Sequence, residues 1–219
     1  MRNLWMIFNQ YVIWCINFVV LLIPHESFAL DLTIDIDSID GIDVWDLAIE
    51  ENVNYPIVPQ QMQSQISQHI KTQYEYLKSK GYSIKLIRNN EVLMITIPID
   101  SLFRTNMYNY IKKSGEECLC PLIQYLKIKE MYRMILAVHH DDTLSSESAD
   151  ILTYERVLYL IDWLSSKTAN ANDVIPYSMG NAYPITSDKS SYGREKNRRL
   201  EIFIVPGKTM LELADEKKL

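Results

Sequence analysis

The order of hydrophobic and polar positions predicts alternating helices and strands along most of the chain. Apolar residues recur at spacings of three and four over 60–80, which predicts an amphipathic helix that stops at Gly81. Two apolar runs follow, 82–87 and 91–99, and the turn residues between them predict a β-hairpin.

The second half of the chain continues this alternation. The pattern predicts a helix over 116–128, a strand over 131–138, a helix over 147–166, a strand over 174–179 and a strand over 199–205. This order predicts an α/β sandwich of βαβαββ type, with helices on one face of a mixed, four-stranded sheet, preceded by the early helix and a hairpin strand. The polar segment 207–219 is expected to fray.

The first 29 residues have the pattern of a cleaved signal peptide. The apolar run 11–23 would rise only about 20 Å as a helix, short of the roughly 30 Å hydrocarbon core of a bilayer. Pro24 then breaks the pattern, and the small residues Ser27 and Ala29 stand where a signal peptidase cleaves. The alternative is an uncleaved anchor over 4–23. Either reading predicts an exported protein.

An acidic stretch follows the predicted cleavage site. Residues 31–51 include eight acidic residues and no basic one. A calcium-binding loop needs oxygen ligands at alternate positions, and the aspartates approach that spacing but miss it at Ile39. We therefore divide the exported chain into an acidic segment (30–59), a helix and hairpin (60–90), a main domain (91–206) and a tail (207–219). A protein partner is expected to dock through 31–80.

Charge and cysteine content narrow the class of protein. The 219 residues include 22 Lys and Arg against 28 Asp and Glu, a formal net charge of -6. This balance argues against a nonspecific nucleic-acid binder, which needs basic residues to neutralise phosphates. Only Cys118 and Cys120 remain after loss of the signal, and on a helix two residues so spaced point about 200° apart. They are expected to be ordinary, partly buried residues.

The cluster VHHDD at 138–142 is the first candidate for chemistry, because ligand sites form where strands of such sheets end. Neighbours on an extended chain point to opposite faces, so at most two of these four polar side chains converge on one metal ion. A serine nucleophile has no supporting G-x-S-x-G turn. The pattern thus predicts no catalytic site, metal or cofactor. A metal-dependent hydrolase using His139, His140 and Asp141 is the less favoured alternative.

Several motifs in order resemble the OmpA-like domains of outer-membrane protein A, peptidoglycan-associated lipoprotein and flagellar stator proteins. The matching stretches are ITIPIDSLF at 95–103, VHHD at 138–141, LTYERV at 152–157, the loop 177–188 with its Gly and Pro, and GREKNRRLEI at 193–202. The 15-residue gap from Asp141 to Arg156 equals the family's spacing. The sequence departs from the family's pattern at Val138, His140 and Leu144.

This resemblance implies a ligand and a site. In the family, the corresponding Asp and Arg grip the diaminopimelate of the peptidoglycan stem peptide. Carried over, Asp141 would pair with its ammonium group and Arg156 with its carboxylate, in keeping with the bidentate fork of an arginine. The residues expected to frame the pocket are Phe103, His139, Thr143, Thr153, Asn197, Arg198 and Arg199.

The resemblance therefore implies a non-enzymatic tether in the periplasm of a diderm bacterium, linking peptidoglycan to an outer-membrane or other envelope partner. Its contact with a membrane would be indirect or through an uncleaved N-terminal helix. The main alternative is a scaffold subunit of an envelope machine whose domain has lost peptidoglycan binding.

Overall fold

The computed structural model describes residues 47–219 except 105, 106 and 109. The predicted signal peptide, the alternative anchor and most of the acidic segment lie outside the described residues. The helices are α1 (Ile49–Asn54), α2 (Gln60–Ser79), α3 (Ile99–Leu102), α4 (Lys113–Leu119), α5 (Ser146–Ser165), α6 (Ser191–Asn197) and α7 (Lys208–Asp215), with 3-10 helices at Cys120–Leu126 and Ala171–Asp173. The strands are β1 (Ser83–Ile87), β2 (Val92–Pro98), β3 (Tyr132–Val138), β4 (Val174–Ser178) and β5 (Arg199–Pro206).

The strands form one mixed sheet in the order β1-β2-β5-β3-β4. All neighbours are antiparallel except β3 and β4, which run parallel. The predicted α/β class is confirmed. The sheet has five strands, because the predicted hairpin strand β1 pairs with β2 and adds a fifth strand to the expected four. The hairpin turns at Arg88, Asn89 and Asn90, all with positive φ, as the turn residues predict.

Both faces of the sheet are covered, to different extents. The main core lies on one face, where Leu136 of β3 and Ile202 of β5 pack among residues of α2, α5 and α7. Ile135 and Phe203 point to the other face, where a smaller cluster contacts the short helix α1. Successive side chains of a strand alternate between faces, so each of the two central strands serves both clusters.

Two arginines, one in β3 and one in the turn between β1 and β2, bind the C-terminal end of α1. Arg133, at the start of β3, donates to the side-chain oxygen of Asn52 at 3.0 Å and to its carbonyl at 2.9 Å, and also contacts the carbonyl of Tyr55. Arg88 donates to the carbonyl of Val53 at 3.1 Å. The last carbonyls of a helix have no partner within it and carry partial negative charge, so these guanidinium groups fasten α1 to the sheet.

The C-terminal segment is a helix, so the expectation of a frayed tail is wrong. Met210, Leu211 and Ala214 of α7 are buried in the main core. The carbonyl of Ala214 accepts a hydrogen bond from Gln65 of α2 at 3.2 Å. Leu213 and Leu219 are partly buried against the same core, so the apolar residues of this segment hold it to the domain.

Helix α2 has the amphipathic character that the spacing predicts, and the domain itself uses its apolar face. Met62, Ile66, Ile70 and Leu77 are buried in the main core. A partner that binds α2 must therefore contact its polar, outward face. None of the described helices has both the length and the apolar character needed to cross a membrane.

Candidate functional site

The chain just beyond β3 presents Asp141, whose side chain is buried. The strand is extended by hydrogen bonds from the His139 amide to the carbonyl of Arg199 at 2.9 Å and from the His140 amide to that of Gly180 at 2.7 Å. Asp141 then turns inward, and its Oδ1 accepts hydrogen bonds from the Thr143 amide at 3.1 Å and from the Thr143 hydroxyl. This local turn fixes the carboxylate just past the C-terminal end of β3.

The carboxylate of Asp141 is held in its charged form. Burial acts to raise its pKa, but the hydrogen bonds from Thr143 and Arg198 outweigh burial and leave the pKa below its ordinary value. The remaining oxygen, Oδ2, contacts Nη1 of Arg198. The site therefore has a fixed negative charge at neutral pH.

Arg198 bridges two carboxylates. Besides Asp141, it binds Asp100 of α3, with Nη2 at 2.6 Å and Nε at 3.0 Å from Oδ2. The hydrogen bonds to Asp100 make the largest contribution to the raised pKa of Arg198. Both side chains are partly exposed, at 24% for Arg198 and 39% for Asp100. Asp100 was not among the predicted site residues, although it lies within the motif at 95–103.

Arg156 of α5 is the second charged group of the site and is only 2% exposed. Its Nε donates to the carbonyl of Met107 at 3.1 Å, and its guanidinium lies 5.5 Å from the ring centroid of Phe103. Nη1 is buried and has no hydrogen-bond partner among the described residues. Burial lowers the pKa of Arg156 to about 10, with the charge of Asp100 acting in the opposite direction.

The other residues expected to frame the pocket fall into two groups. Some hold nearby loops in place, and the rest lie on the face of the sheet opposite Asp141. Thr153 accepts from the Gly180 amide at 3.1 Å, which holds the loop after β4 beside α5. Asn197 bonds to the backbone amides of Ile185 and Thr186 at 2.9 and 3.1 Å, so it fixes the loop that carries the Gly and Pro of the motif. Both residues shape the surroundings of the site and do not face Asp141.

His139 and Arg199 lie on the opposite face of the sheet. Nε of Arg199 is 2.7 Å from Oε1 of Glu201, and Nε2 of His139 is 3.4 Å from Oε2 of the same carboxylate. Strand alternation places Arg199 on the same face as Glu201, whereas Arg198 lies just before β5 begins. The structure thus gathers Phe103, Thr143, Arg156 and Arg198 on the side of Asp141, together with Asp100.

The site has two guanidinium groups and two carboxylates, which balance in charge. No three His, Cys, Asp or Glu side chains within the described part of the chain are placed to hold one metal ion. Opposite charges at fixed positions match a ligand that carries both an ammonium and a carboxylate group.

Comparisons with known proteins agree with this architecture. No family model matches the chain. Outer membrane protein A of Bordetella avium is 30% identical over 96 residues, which cover 43% of this chain and 49% of that protein. The chain thus spans about half the length of this curated relative.

Two solved structures share the fold. A MotB-like protein from Desulfovibrio vulgaris superposes with a TM-score of 0.58 at 13% identity, covering 66% of this chain and 96% of the other. The cell wall anchor of the T6SS from Pseudomonas aeruginosa gives a TM-score of 0.53 at 18% identity, covering 62% and 95%. The resemblance read from the motifs is confirmed, and the chain contains a domain with the OmpA-like fold.

Proposed function

We propose that this domain binds the peptidoglycan stem peptide, without converting it, by holding diaminopimelate between Asp141 and Arg156. The ammonium group of the ligand would pair with Asp141 and its carboxylate with Arg156. Support comes from the motif resemblance, from the fold and from the matched charges of the site. The side chain of diaminopimelate ends in a zwitterion, which requires one fixed charge of each sign.

The observation that carries the proposal is the unpaired Nη1 of Arg156. A buried donor without a partner costs about 1–3 kcal/mol, and more when the group is charged. The described residues supply Arg156 with one hydrogen bond, to the carbonyl of Met107, and no direct ion pair. A ligand carboxylate placed at Nη1 would remove this cost, so the domain is organised to receive an anion there.

Arg198 and Asp100 explain how the ammonium end could be received. Arg198 now contacts Asp141, and a ligand ammonium must share that carboxylate or displace Arg198 from it. Because Arg198 also binds Asp100 through Nη2 and Nε, it keeps an ion pair after it leaves Asp141. We infer that Asp100 stabilises Arg198 while the ligand is bound.

The wider role follows from this binding mode. The T6SS neighbour is described as a cell wall anchor, and we propose the same kind of role here: an exported protein that tethers peptidoglycan to an envelope partner in the periplasm. The partner would contact residues 31–80, which include most of the acidic segment and the outward polar face of α2. The match covers only 49% of the length of the curated relative. The proposed role therefore draws on the OmpA-like domain and not on the whole of that protein.

A sedimentation assay with purified sacculi tests the proposal. Wild type is expected to sediment with sacculi, and both Asp141→Asn and Arg156→Met are expected to stay in the supernatant. Lys196→Ala is the matched control, since it removes an exposed charge from α6 close in sequence to Arg198. Calorimetry compares the binding of free meso-diaminopimelate with that of lysine, which lacks the side-chain carboxylate. The difference in affinity measures the contribution of that carboxylate. The expected preference for diaminopimelate is about 10- to 100-fold, the worth of one charge-assisted pair.

The scaffold alternative has one specific observation in its favour, the occupation of Asp141 by Arg198. If binding has been lost, wild type and the two site variants will remain equally in the supernatant. That result would reject the tether and leave a protein-interaction domain. Release of soluble muropeptides by the wild type would instead favour a hydrolase.

A further inference from the structure

A second pocket lies on the face of the sheet opposite Asp141, between α1 and β5. Its volume is about 280 Å³. Ile49 and Val53 of α1 form one wall, Phe203 and Met179 form another, and Tyr183 stands at the edge. Tyr183 is 57% exposed, so the pocket opens to solvent beside it. None of these residues belongs to the proposed peptidoglycan site.

The polar floor of this pocket is a buried cluster of His139, Arg199 and Glu201. The ion pair between Arg199 and Glu201, at 2.7 Å, balances in charge. His139 is 3% exposed. Its Nε2 lies 3.4 Å from Oε2 of Glu201, and its Nδ1 has no hydrogen-bond partner among the described residues. Burial is the main cause of its lowered pKa, so the ring is neutral at pH 7. A neutral imidazole offers one donor and one acceptor.

The size and walls of the pocket indicate what fits. A cavity of about 150 Å³ lined by apolar side chains holds benzene, so 280 Å³ has room for a substituted aromatic ring. Phe203 and Tyr183 offer ring contacts and Met179 a sulfur contact, all favourable to an aromatic guest. Because Glu50 adds a negative charge at the wall, an anionic ligand is disfavoured.

We propose that this pocket is a binding site for a small, neutral aromatic molecule whose hydroxyl group hydrogen-bonds to the His139 cluster. The apolar walls supply the affinity, and the unpartnered Nδ1 of His139 supplies the preference for a hydroxyl. This site is separate from the peptidoglycan site and lies on the other face of the same strands. The proposal therefore stands or falls independently of the tether.

Phenol and toluene are the matched probes, since they have similar size and differ by the hydroxyl. The protein is labelled with ¹³C at its methionine methyl groups, and the Met179 signal is assigned by its loss in Met179→Leu. Met62, buried in the main core on the other face, is the internal control. Phenol is expected to shift the Met179 signal saturably and leave Met62 unchanged, with toluene binding at least fivefold more weakly. In His139→Leu, the two probes are expected to bind with equal Kd.

Two results would overturn the proposal. If phenol causes no saturable shift at Met179, the pocket holds only water. If wild type binds phenol and toluene equally, the guest is taken up by apolar contact alone and His139 recognises nothing. Both results come from the wild-type protein, so neither depends on whether a variant folds. Sacculus binding measured on the same sample reports separately on the tether.

Discussion

Replacing Arg156 by Met should make the domain more stable while abolishing peptidoglycan binding. Arg156 is 2% exposed and has a single described hydrogen bond, from Nε to the carbonyl of Met107. Met retains much of the side-chain volume and keeps an apolar contact with Phe103. The substitution removes a buried charge whose cost the folded protein otherwise bears.

The expected change in the free energy of unfolding follows from the burial of the Arg156 guanidinium. Its pKa is lowered from 12.5 to about 10, which corresponds to roughly 3 kcal/mol by which folding disfavours the charged form. Loss of the bond to Met107 offsets about 1 kcal/mol of the gain. The free energy of unfolding is therefore expected to rise by about 1–3 kcal/mol, or a Tm increase of about 2–10 °C for a domain of this size.

Urea denaturation at pH 7, followed by circular dichroism, measures this change, and sacculus sedimentation measures binding on the same preparation. Arg199→Met is the control. Arg199 is also buried, but its ion pair with Glu201 at 2.7 Å satisfies it, so its removal leaves an unpaired carboxylate and should cost about 3–5 kcal/mol. A loss of 1 kcal/mol or more in Arg156→Met would refute the reasoning, because it would make Arg156 a structural cation. Retained binding would refute it equally.

Three further predictions concern stability. Gly193→Ala should lower the free energy of unfolding by about 2 kcal/mol or more in urea, since the new methyl would lie 1.9 Å from the carbonyl oxygen of Ser187; an unchanged midpoint would contradict this close approach. Burial lowers the pKa of His139 from 6.5, so the unfolded chain gains the proton first and stability should fall as the pH drops below about 6.5. His139→Gln should reduce that slope and leave the part due to His69, whose pKa burial also lowers; an unaltered slope would count against it. Met210→Ala should cost about 2–5 kcal/mol, measured by urea denaturation, whereas a frayed tail would show no change.

The local elements were predictable because their signals are local. The period of α2 and the turn residues of the hairpin each specify structure within about 20 residues of chain. Helix α7 is also amphipathic, with Met210, Leu211 and Ala214 buried, but it is only eight residues long and was overlooked because its composition is polar. Short helices that depend on tertiary packing are hard to predict from periodicity alone.

The candidate site was predictable in part. The motif resemblance singled out Asp141 and Arg156 for the ligand and included Arg198 among the pocket residues. It did not indicate Asp100, which reaches Arg198 across 98 positions of sequence through the pairing of β2 with β5. The predicted start of β5 at 199 matches the structure. Period-two alternation within that strand could therefore have placed Arg199 on the same face as Glu201 and apart from Asp141.

The fastening of α1 by Arg133 has a mechanical consequence for a tether. The chain ahead of Leu47 joins the domain through α1, and Arg133 anchors this helix at the start of β3, while Asp141 lies just past the other end of the same strand. A pull between an envelope partner and the cell wall would therefore run lengthwise along β3. This strand is paired on both sides, with β5 and β4, so such a pull would load two hydrogen-bonded ladders in shear, where many bonds must break together, instead of peeling an edge strand one bond at a time.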